Sequence, residues 1–169
     1  MKNIIIAINL KKSKAKKIMP KKVLNPEYIE VVGRRKEAVA RVRMYFTSGN
    51  KTISIQGNKL KAGEILINKK PFQQIFVSDA DQIRFHKPLE LTNNKERFAI
   101  SIIVRGGGKK GQLEAMVHGL SRAIEKVDKE AYRTILKKEG MLTRDSRTRE
   151  RRKVGRGGKA RRQKQSPKR

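Results

Sequence analysis

The chain has 169 residues, of which 44 are Lys or Arg and 15 are Asp or Glu, so its formal net charge is +29. A charge of this size opposes compaction and indicates a polyanionic partner. Nucleic acid is favoured over a membrane surface because no basic amphipathic helix with a broad apolar face dominates the sequence. The chain has no Cys, which excludes disulfides, thiolate metal ligands and a Cys nucleophile.

Residues 1–22 form a basic N-terminal extension with eight Lys and no acidic residue. Their longest apolar run, residues 4–8, is far shorter than the roughly 20 residues that cross a bilayer, so we expect no membrane partner. A Lys followed by this apolar run weakly resembles the start of a signal peptide. However, two Asn residues interrupt the region and no small-residue cleavage site follows. We therefore expect a cytoplasmic or organelle-internal protein that is not secreted.

The middle of the chain, residues 23–143, contains the patterned apolar sequence and is predicted to form one globular domain. Residues 28–32 are rich in β-branched side chains and residues 37–47 alternate, so both are predicted as strands. One face of the longer strand comprises Ala38, Ala40, Val42, Met44 and Phe46, and the other comprises Val39, Arg41, Arg43 and Tyr45. The two arginines indicate that the second face meets solvent or an anion.

Three shorter elements are predicted next along the domain. Residues 52–56 form a strand that leads into a turn at Gly57-Asn58, and residues 71–76 form a short helix with Pro71 in its first turn. Residues 98–104 are the strongest predicted strand. The apolar side chains on one of its faces are Phe98, Ile100, Ile102 and Val104.

After residue 111 the apolar period becomes that of a helix. The helical stripe comprises Leu113, Met116, Val117, Leu120 and Ile124. A second helix is predicted to begin at an Asp128 N-cap and to end at Gly140, with an apolar face of Ala131, Ile135 and Leu136. The elements together predict an α/β fold: a two-layer α/β sandwich with a mostly antiparallel or mixed sheet, helices on one face, and a long extended basic C-terminal tail.

That tail, residues 144–169, contains 13 Lys or Arg and two acidic residues. It has one residue from the set Leu, Ile, Val and Phe, namely Val154, and no aromatic residue. Such a segment cannot bury enough apolar surface to offset its conformational entropy. We expect it to be disordered alone and to become ordered only against a partner that neutralises its charge.

The stretch "VRGGGKKGQLEAMVHGL", residues 104–120, contains the spacing G-x-G-x-x-G. A dinucleotide site would also need a second strand that ends in an acidic residue, and a phosphate-binding P-loop would need Lys and Ser or Thr after the last glycine; both are missing. We expect no cofactor and no small-molecule substrate. His86 and His118 lie far apart, without a carboxylate at ligand spacing, so we expect neither a metal site nor a catalytic base.

Two basic clusters in the domain are candidates for binding nucleic-acid phosphate. Arg105, Lys109 and Lys110 flank the glycines, whose backbone N–H groups and following helix N-terminus suit an anion. Alternatively, the glycines only provide the positive φ of a tight turn, beside solvated lysines. The second cluster, residues 34–36, is either a solvated face or an RNA contact. No aromatic pattern for base stacking is present, so backbone charge and shape are the expected mode of recognition.

Three blocks occur in order: "GRRKEAVARVRMY" at residues 33–45, "VRGGGKKGQLEAMVHGLSRAI" at 104–124 and "LKKEGMLTRDSRTRERRKVGRGGKARR" at 136–162. With them the chain closely resembles the universal family of small-subunit ribosomal protein nine, in its bacterial or organellar form, over about residues 28–169. The resemblance implies an α/β domain docked on the ribosomal RNA (rRNA) of the subunit head, beside other head proteins. It also implies a tail that reaches the peptidyl-site transfer RNA (tRNA), and no catalysis.

The resemblance, with the two arginines of the alternating strand, also yields a set of expected contacts. The expected rRNA-binding residues are Arg34, Arg35, Lys36, Arg41, Arg43, Arg105, Lys109, Lys110, Arg144, Arg147, Arg149, Arg151, Arg152, Lys153, Arg156, Lys159, Arg161 and Arg162. The expected tRNA-binding residues are Lys168 and Arg169. Ribosomes of the cytoplasm or of an organelle are the expected location.

The C-terminal end departs from the pattern of the family, which commonly ends in an aromatic residue followed by Ser-Lys-Arg. Here the last residues are Gln165-Ser166-Pro167-Lys168-Arg169. Contacts that need the aromatic ring or the hydroxyl are therefore in question, whereas charge-based contacts remain. Residues 1–22 have no counterpart in the family's core, and are either an RNA-binding arm or a targeting segment. A nucleotide-dependent enzyme and a DNA-compacting protein are the two competing functional classes.

Overall fold

The computed structural model describes residues 28–47, 52–55 and 57–151. Within these ranges the chain forms seven strands and four helices. The strands are β1 (Tyr28–Arg35), β2 (Ala38–Phe46), β3 (Ile53–Ile55), β4 (Asn58–Leu60), β5 (Ile65–Ile67), β6 (Lys70–Pro71) and β7 (Phe98–Arg105). The helices are α1 (Phe72–Ile75), α2 (Asp79–Leu91), α3 (Lys109–Val127) and α4 (Lys129–Lys138). The N-terminal extension and the tail beyond residue 151 lie outside the described residues.

Five strands form a mixed sheet in the order β1-β2-β7-β5-β6, in which β5 and β7 run parallel and the other neighbours are antiparallel. The predicted α/β fold with a mostly antiparallel or mixed sheet is therefore confirmed. Val31, Val42 and Ile102 are in register across β1, β2 and β7. Because side chains alternate along each strand, this register brings the apolar sets of the three strands onto one face.

The helices cover that apolar face. α3 packs on β1 and β2 with Leu113, Met116, Leu120 and Ile124, which are all fully buried. The helical stripe predicted from the sequence is thereby confirmed, with Val117 half-buried at its edge. Each fully buried aliphatic side chain of this kind stabilises the fold by roughly 1.5–3 kcal/mol relative to exposure.

The opposite face of the sheet is covered in part by the hairpin of β3 and β4. Ile55 and Leu60 of the hairpin are buried against Tyr45 of β2 and Ala99 of β7. The face with arginines is therefore closed at one end and open at the other. Arg41, nearer the open end, keeps an exposed side chain.

The glycine turn predicted after β3 is displaced by one residue. Asn58 is already the first residue of β4 and pairs with Ile55, so the hairpin reverses just before it, where Gly57 has a φ of +87°. The predicted short helix at residues 71–76 is confirmed as α1, with Pro71 immediately before it.

Helix α2 and the short strands β4, β5 and β6 are not predicted from the sequence. α2 contains Pro88 in its interior, and only Phe85, Pro88 and Leu89 of its 13 residues are buried, so the helical period is weak. The Thr92 hydroxyl donates a hydrogen bond of 2.9 Å to the Pro88 carbonyl at the helix end. Burial of Phe85 in the core outweighs the local cost of the proline.

The ends of α4 are as predicted, but its apolar face is not. The Asp128 carboxylate accepts a hydrogen bond from the Ala131 amide at 3.1 Å, and Gly140 follows the helix with a φ of +70°. Leu136 is buried, whereas Ala131 and Ile135 are exposed and Tyr132 is half-buried in their place. α4 is short and contacts the domain along a narrow line that includes Tyr132 and Leu136.

Candidate nucleic-acid interface

Two basic clusters that are distant in the sequence meet at one end of the sheet. The turn between β1 and β2 lies against the glycine loop that follows β7: a Cβ on Gly106 would be 2.4 Å from the Glu37 carbonyl oxygen. A Cβ on Gly107 would lie 3.1 Å from the Ala38 Cβ. The structure therefore brings residues 34–36 and residues 105–110 together, as one candidate interface would require.

An open basic face adjoins this end of the sheet. Arg34, Val39 and Arg105 form one row across β1, β2 and β7, and Val32, Arg41 and Ile103 form the next row. Paired residues in antiparallel strands point to the same side, so these six side chains share one surface, which we call the open face. Its three arginines are exposed. With neighbouring strands about 4.8 Å apart, Arg34 and Arg105 are about 10 Å apart at their backbones.

The glycine loop forms the turn from β7 into α3. Gly106 and Gly107 have φ values of +75° and +64°, so the turn needs glycine at both positions. The Gln112 side chain holds the loop by donating to the Gly106 carbonyl at 3.0 Å. Of the three glycines in the G-x-G-x-x-G spacing, only Gly106 has the positive φ that the tight-turn interpretation expects, because Gly108 is the N-cap of α3 with a φ of −101° and Gly111 lies inside the helix.

Lys109 and Lys110 are exposed in the first turn of α3, which contains no acidic residue. The N-terminus of a helix has a partial positive charge, so lysines there are unfavourable for the isolated helix and acidic residues are preferred. Four amide groups also lack intrahelical partners at this end. Such an arrangement concentrates positive charge and hydrogen-bond donors, and it is suited to an external anion.

Arg35 lies inside the protein, although the sequence places it in the expected rRNA-binding set. Its side chain is only 10% exposed. The guanidinium donates from Nε to Glu114 Oε2 at 2.6 Å and from Nη1 to the Arg147 carbonyl at 2.6 Å, and Nη2 lies 3.0 Å from Asp145 Oδ2. With all three nitrogens engaged, Arg35 is not presented to an external phosphate.

The two arginines of β2 differ in their availability. Glu30 of β1 lies 2.7 Å from Arg43 Nε and 3.3 Å from Arg41 Nε. Arg43 also lies over the Tyr28 ring at 5.2 Å, and its side chain is 22% exposed against 52% for Arg41. The hydrogen bond that Arg43 donates to the Glu30 carboxylate raises the pKa of Arg43. Arg41 is therefore the better candidate for contact with an external phosphate. Most of the Arg43 side chain is in contact with Glu30 and Tyr28 of β1.

Two further basic residues near the interface are not among the predicted site residues. Arg84 of α2 is 61% exposed and lies 3.3 Å from Glu114, whereas Arg122 of α3 donates to the Val32 carbonyl at 2.7 Å. Because α2 is not predicted from the sequence, its arginine could not be placed. The helical stripe of α3 places Arg122 off its buried side, but the contact with β1 needs the packing of helix on sheet.

The tail bases divide into those within the described residues and those beyond them. Arg144, Arg147, Arg149 and Arg151 are exposed at the root of the tail, and Lys36 is exposed at the tip of the β1–β2 turn. The remaining predicted bases lie outside the described residues. They are Arg152, Lys153, Arg156, Lys159, Arg161, Arg162, Lys168 and Arg169.

The two histidines are partly buried, and their surroundings favour the neutral imidazole. Burial is the main cause that lowers the pKa of His118, and the nearby charges of Arg122 and Arg144 lower it further. Burial likewise lowers the pKa of His86. His118 Nδ1 accepts a hydrogen bond from the Arg34 amide of the outermost strand β1 at 3.5 Å. No group of His, Asp and Glu that could hold a metal ion occurs among the described residues.

A cleft of about 350 Å³ adjoins the open face. Within the described part of the chain its wall has aliphatic, amide, hydroxyl and basic side chains, including Leu66, Asn68, Ser101 and Arg105, but no carboxylate or imidazole. The cleft therefore has no pair of groups for general acid–base chemistry. Also within the described residues, no helix combines the length and hydrophobicity needed to span a bilayer.

Comparison with known proteins decides the family. Residues 33–169 match the family model described as ribosomal protein S9/S16. The chain belongs to the ribosomal protein S9/S16 family. This membership confirms the resemblance read from the three sequence blocks. The S9/S16 family consists of ribosomal proteins and not of enzymes, so the membership also confirms that the chain is no enzyme.

Curated relatives of this S9/S16 chain cover most of its length. The small ribosomal subunit protein uS9 of Solidesulfovibrio magneticus is 42% identical over 139 residues, which are 82% of this chain and 95% of the relative. The protein of the same name from Maridesulfovibrio salexigens is 39% identical over 135 residues, or 80% and 92%. The one from Chlorobium luteolum is 41% identical over 130 residues, or 77% and 89%. The named organisms are bacteria.

Proposed function

We propose that the chain is a structural constituent of the small ribosomal subunit and binds rRNA with the end of the sheet described above. The observation that carries the proposal is the convergence of exposed cations there. Arg34, Arg41 and Arg105 share the open face, and Lys109 and Lys110 begin α3 beside it. Phosphate contacts of this kind position a protein on RNA without reading its sequence, and they are sensitive to salt.

Arg35 takes a different part in this proposal from the one expected from the sequence. The exposed residues of the interface make the phosphate contacts, whereas Arg35 holds the interface together from within. Arg43 likewise has an internal role, because its ion pair with Glu30 joins β2 to β1. Its positive charge also adds to the attraction of nearby phosphates. Arg84 joins the exposed set from the helix side of the sheet, because its side chain is 61% exposed and lines a cleft of about 240 Å³ together with Arg147.

The finer part of the proposal concerns the tail. The chain divides into a basic extension (residues 1–22), a globular RNA-binding domain (23–143) and an extended basic tail (144–169). The tail becomes ordered along rRNA by contacts of guanidinium and ammonium groups with phosphates, and nine of its 13 basic residues are Arg, whose planar fork suits phosphate. Its last residues, Lys168 and Arg169, contact the peptidyl-site tRNA during translation.

The proposed partners are small-subunit rRNA, peptidyl-site tRNA and other proteins of the subunit head. The proposed location is a cytoplasmic ribosome, which the bacterial origin of the named relatives supports. No membrane, metal or small-molecule substrate takes part in the proposed mechanism.

Sedimentation tests the assignment to the small subunit. The tagged full chain, expressed in its host at native level, is expected to sediment with small ribosomal subunits and to stay bound after a high-salt wash. A chain that remains at the top of the gradient, or that sediments only with the large subunit, would contradict the proposal.

A competition experiment separates rRNA binding from the two competing classes. At one fixed salt concentration, a head-domain rRNA fragment is expected to displace labelled rRNA from the protein far better than duplex DNA of equal length. Equal displacement would favour a DNA-compacting protein. Equilibrium dialysis against a dinucleotide is expected to show no binding, and saturable binding would favour the nucleotide-dependent class.

A further inference from the structure

The root of the tail is fastened to the domain by an internal clamp, which we define as Arg35, Glu114, Asp145 and Arg147. Arg35 of β1 reaches Glu114 of α3 and, on its other side, both Asp145 and the Arg147 carbonyl of the tail. Asp145 in turn accepts hydrogen bonds from the Arg147 amide at 2.9 Å and from Arg147 Nη2 at 2.7 Å. The clamp therefore connects a strand, a helix and a segment without regular secondary structure.

The charges of the clamp are unusual for a tail whose expected partner is RNA. Asp145 is one of two acidic residues among 15 charged residues in residues 144–169, and an acidic group near phosphates repels them. Yet it lies against a guanidinium that is only 10% exposed, and its hydrogen bonds with Arg147 lower its pKa far below the usual range. Asp145 is therefore held from both sides, by the buried Arg35 and by Arg147 of the tail itself.

We infer that Arg35 and Asp145 are positioning residues, which fix the direction in which the tail leaves the domain before RNA binds. The inference rests on the proposed RNA binding and deepens it. Ordering a backbone segment costs conformational entropy, and the clamp meets that cost for residues 145–147 during folding. A preorganised segment binds more tightly because less freedom is lost on binding. Arg147, held on the far side of Asp145, is then directed outward with its 85% exposed side chain.

The substitution Asp145→Asn distinguishes positioning from simple charge. It raises the net charge of the protein by one unit, so attraction to RNA by charge alone would become stronger. The clamp predicts the opposite sign: affinity for the rRNA fragment falls by roughly threefold to tenfold, because residues 145–147 must then be ordered at the moment of binding. The slope of log affinity against log salt should stay the same, since no phosphate contact is removed.

Glu150→Gln is the matched control, because Glu150 is the other acidic residue of the tail and is exposed. It makes the same change in charge without touching the clamp, so its RNA affinity should be unchanged or higher. Weaker binding by Asp145→Asn than by Glu150→Gln supports the inference. Equal or tighter binding by Asp145→Asn overturns it.

Limited proteolysis of the free full chain tests the clamp without RNA. A protease that cleaves after Arg should cut slowly after Arg147, whose side chain and carbonyl are both held, and faster after Arg151. In Asp145→Asn the cut after Arg147 should become several-fold faster, with the cut after Arg151 unchanged. Equal rates at the two sites in the parent protein would overturn the inference. Failure of the parent to bind rRNA at all would instead overturn the proposed function, so the two failures are distinct.

Discussion

The backbones of Gly33 in β1 and Gly119 in α3 are in direct contact. A Cβ added to Gly33 would lie 2.4 Å from the Gly119 nitrogen and 2.0 Å from the Ala115 carbonyl oxygen, and a Cβ on Gly119 would lie 2.8 Å from Val42 Cγ2. Two glycines thus allow α3 to approach the sheet closely. This approach also places Glu114, five residues earlier on the helix, within reach of Arg35.

Substitution Gly33→Ala is expected to destabilise the fold. The obstructing atoms belong to the backbone of α3, so the whole helix must shift, and the cost should be at or above the upper end of the roughly 1–3 kcal/mol that is typical of overpacked cores. Urea unfolding of the parent and the variant measures the free energy of unfolding. Gly111→Ala, where the added Cβ meets only ordinary contacts at 3.8 Å or more, is the control and should be neutral or slightly stabilising. Equal effects of the two substitutions would contradict the close approach.

The double substitution of Lys109 and Lys110 by Gln should weaken binding to head-domain rRNA. If both ammonium groups lie on phosphates, the slope of log affinity against log salt should decrease in magnitude by about 1 for each lysine. A filter-binding titration at several salt concentrations measures both quantities. Lys137 and Lys138, exposed in the last turn of α4, provide the matched control pair, and their replacement should leave the slope nearly unchanged. An rRNA footprint identical to that of the parent would refute the role of Lys109 and Lys110.

Removal of Lys168 and Arg169 should weaken peptidyl-site tRNA binding and leave subunit assembly largely intact. Lys168 and Arg169 are only two of the 13 basic residues of the tail, so the other basic residues should still bind rRNA. In the proposed function, however, these two residues make the contact with the tRNA. The affinity of tRNA for variant small subunits measures the effect, which should be largest at low salt. Lys11→Gln with Lys12→Gln lowers the charge equally and serves as the control. Unchanged tRNA affinity of the truncated protein at low salt would remove the proposed tRNA contact.

Stability should fall as the pH is lowered from about 7 to about 5, with part of the effect due to His118. Burial lowers its pKa below 6.5 in the folded protein, so the unfolded chain binds more protons in this range and unfolding becomes easier. At a pH above the pKa of His118 in the unfolded chain, about 6.5, the contribution of His118 to the free energy of unfolding is fully present. This contribution is lost as the pH falls through the lower pKa of the folded protein. His118→Gln should therefore flatten the dependence of the urea midpoint on pH.

His86→Gln is the companion variant, because burial also lowers the pKa of His86. Each single variant should remove part of the slope between pH 5 and 7, and the double variant should remove more than either. A pH dependence that is the same in His118→Gln as in the parent would show that the histidine does not change its protonation on unfolding.

Periodicity in the sequence was sufficient for the elements that bury a regular apolar face. The alternation of residues 37–47 and the helical stripe after the glycines both predict structure that is present, because the pleat of a strand and the turn of a helix impose those periods locally. α2 was not predictable in this way. Its Pro88 argues locally against a helix, and only contact of Phe85 with the core reverses that preference.

In the candidate interface too, the sequence predicts some features and tertiary contacts decide others. Arg34 and Arg35 are neighbours in one basic cluster, and the sequence predicts the same role for both. The predicted strand ended at residue 32, whereas β1 continues to Arg35, so alternation turns Arg34 to the open face and Arg35 to the helix side. The opposite orientations of Arg34 and Arg35 require that β1 stays paired with β2 as far as Arg35. The residues of β1 alone do not specify how far this pairing extends.

The sequence by itself determined that this protein is basic, that its positive charge is concentrated at the two ends, that one α/β core lies between them and that the chain belongs with ribosomal proteins. The first three properties follow from composition and from short periodic patterns, whereas the last follows from the resemblance of the three sequence blocks to the family. Only the tertiary structure decided which cations face outward. Glu114 is 79 positions from Arg35 and the Arg147 carbonyl is 112 positions away. Packing of α3 on the sheet brings such groups together, because charge pairing at this range depends on three-dimensional distance.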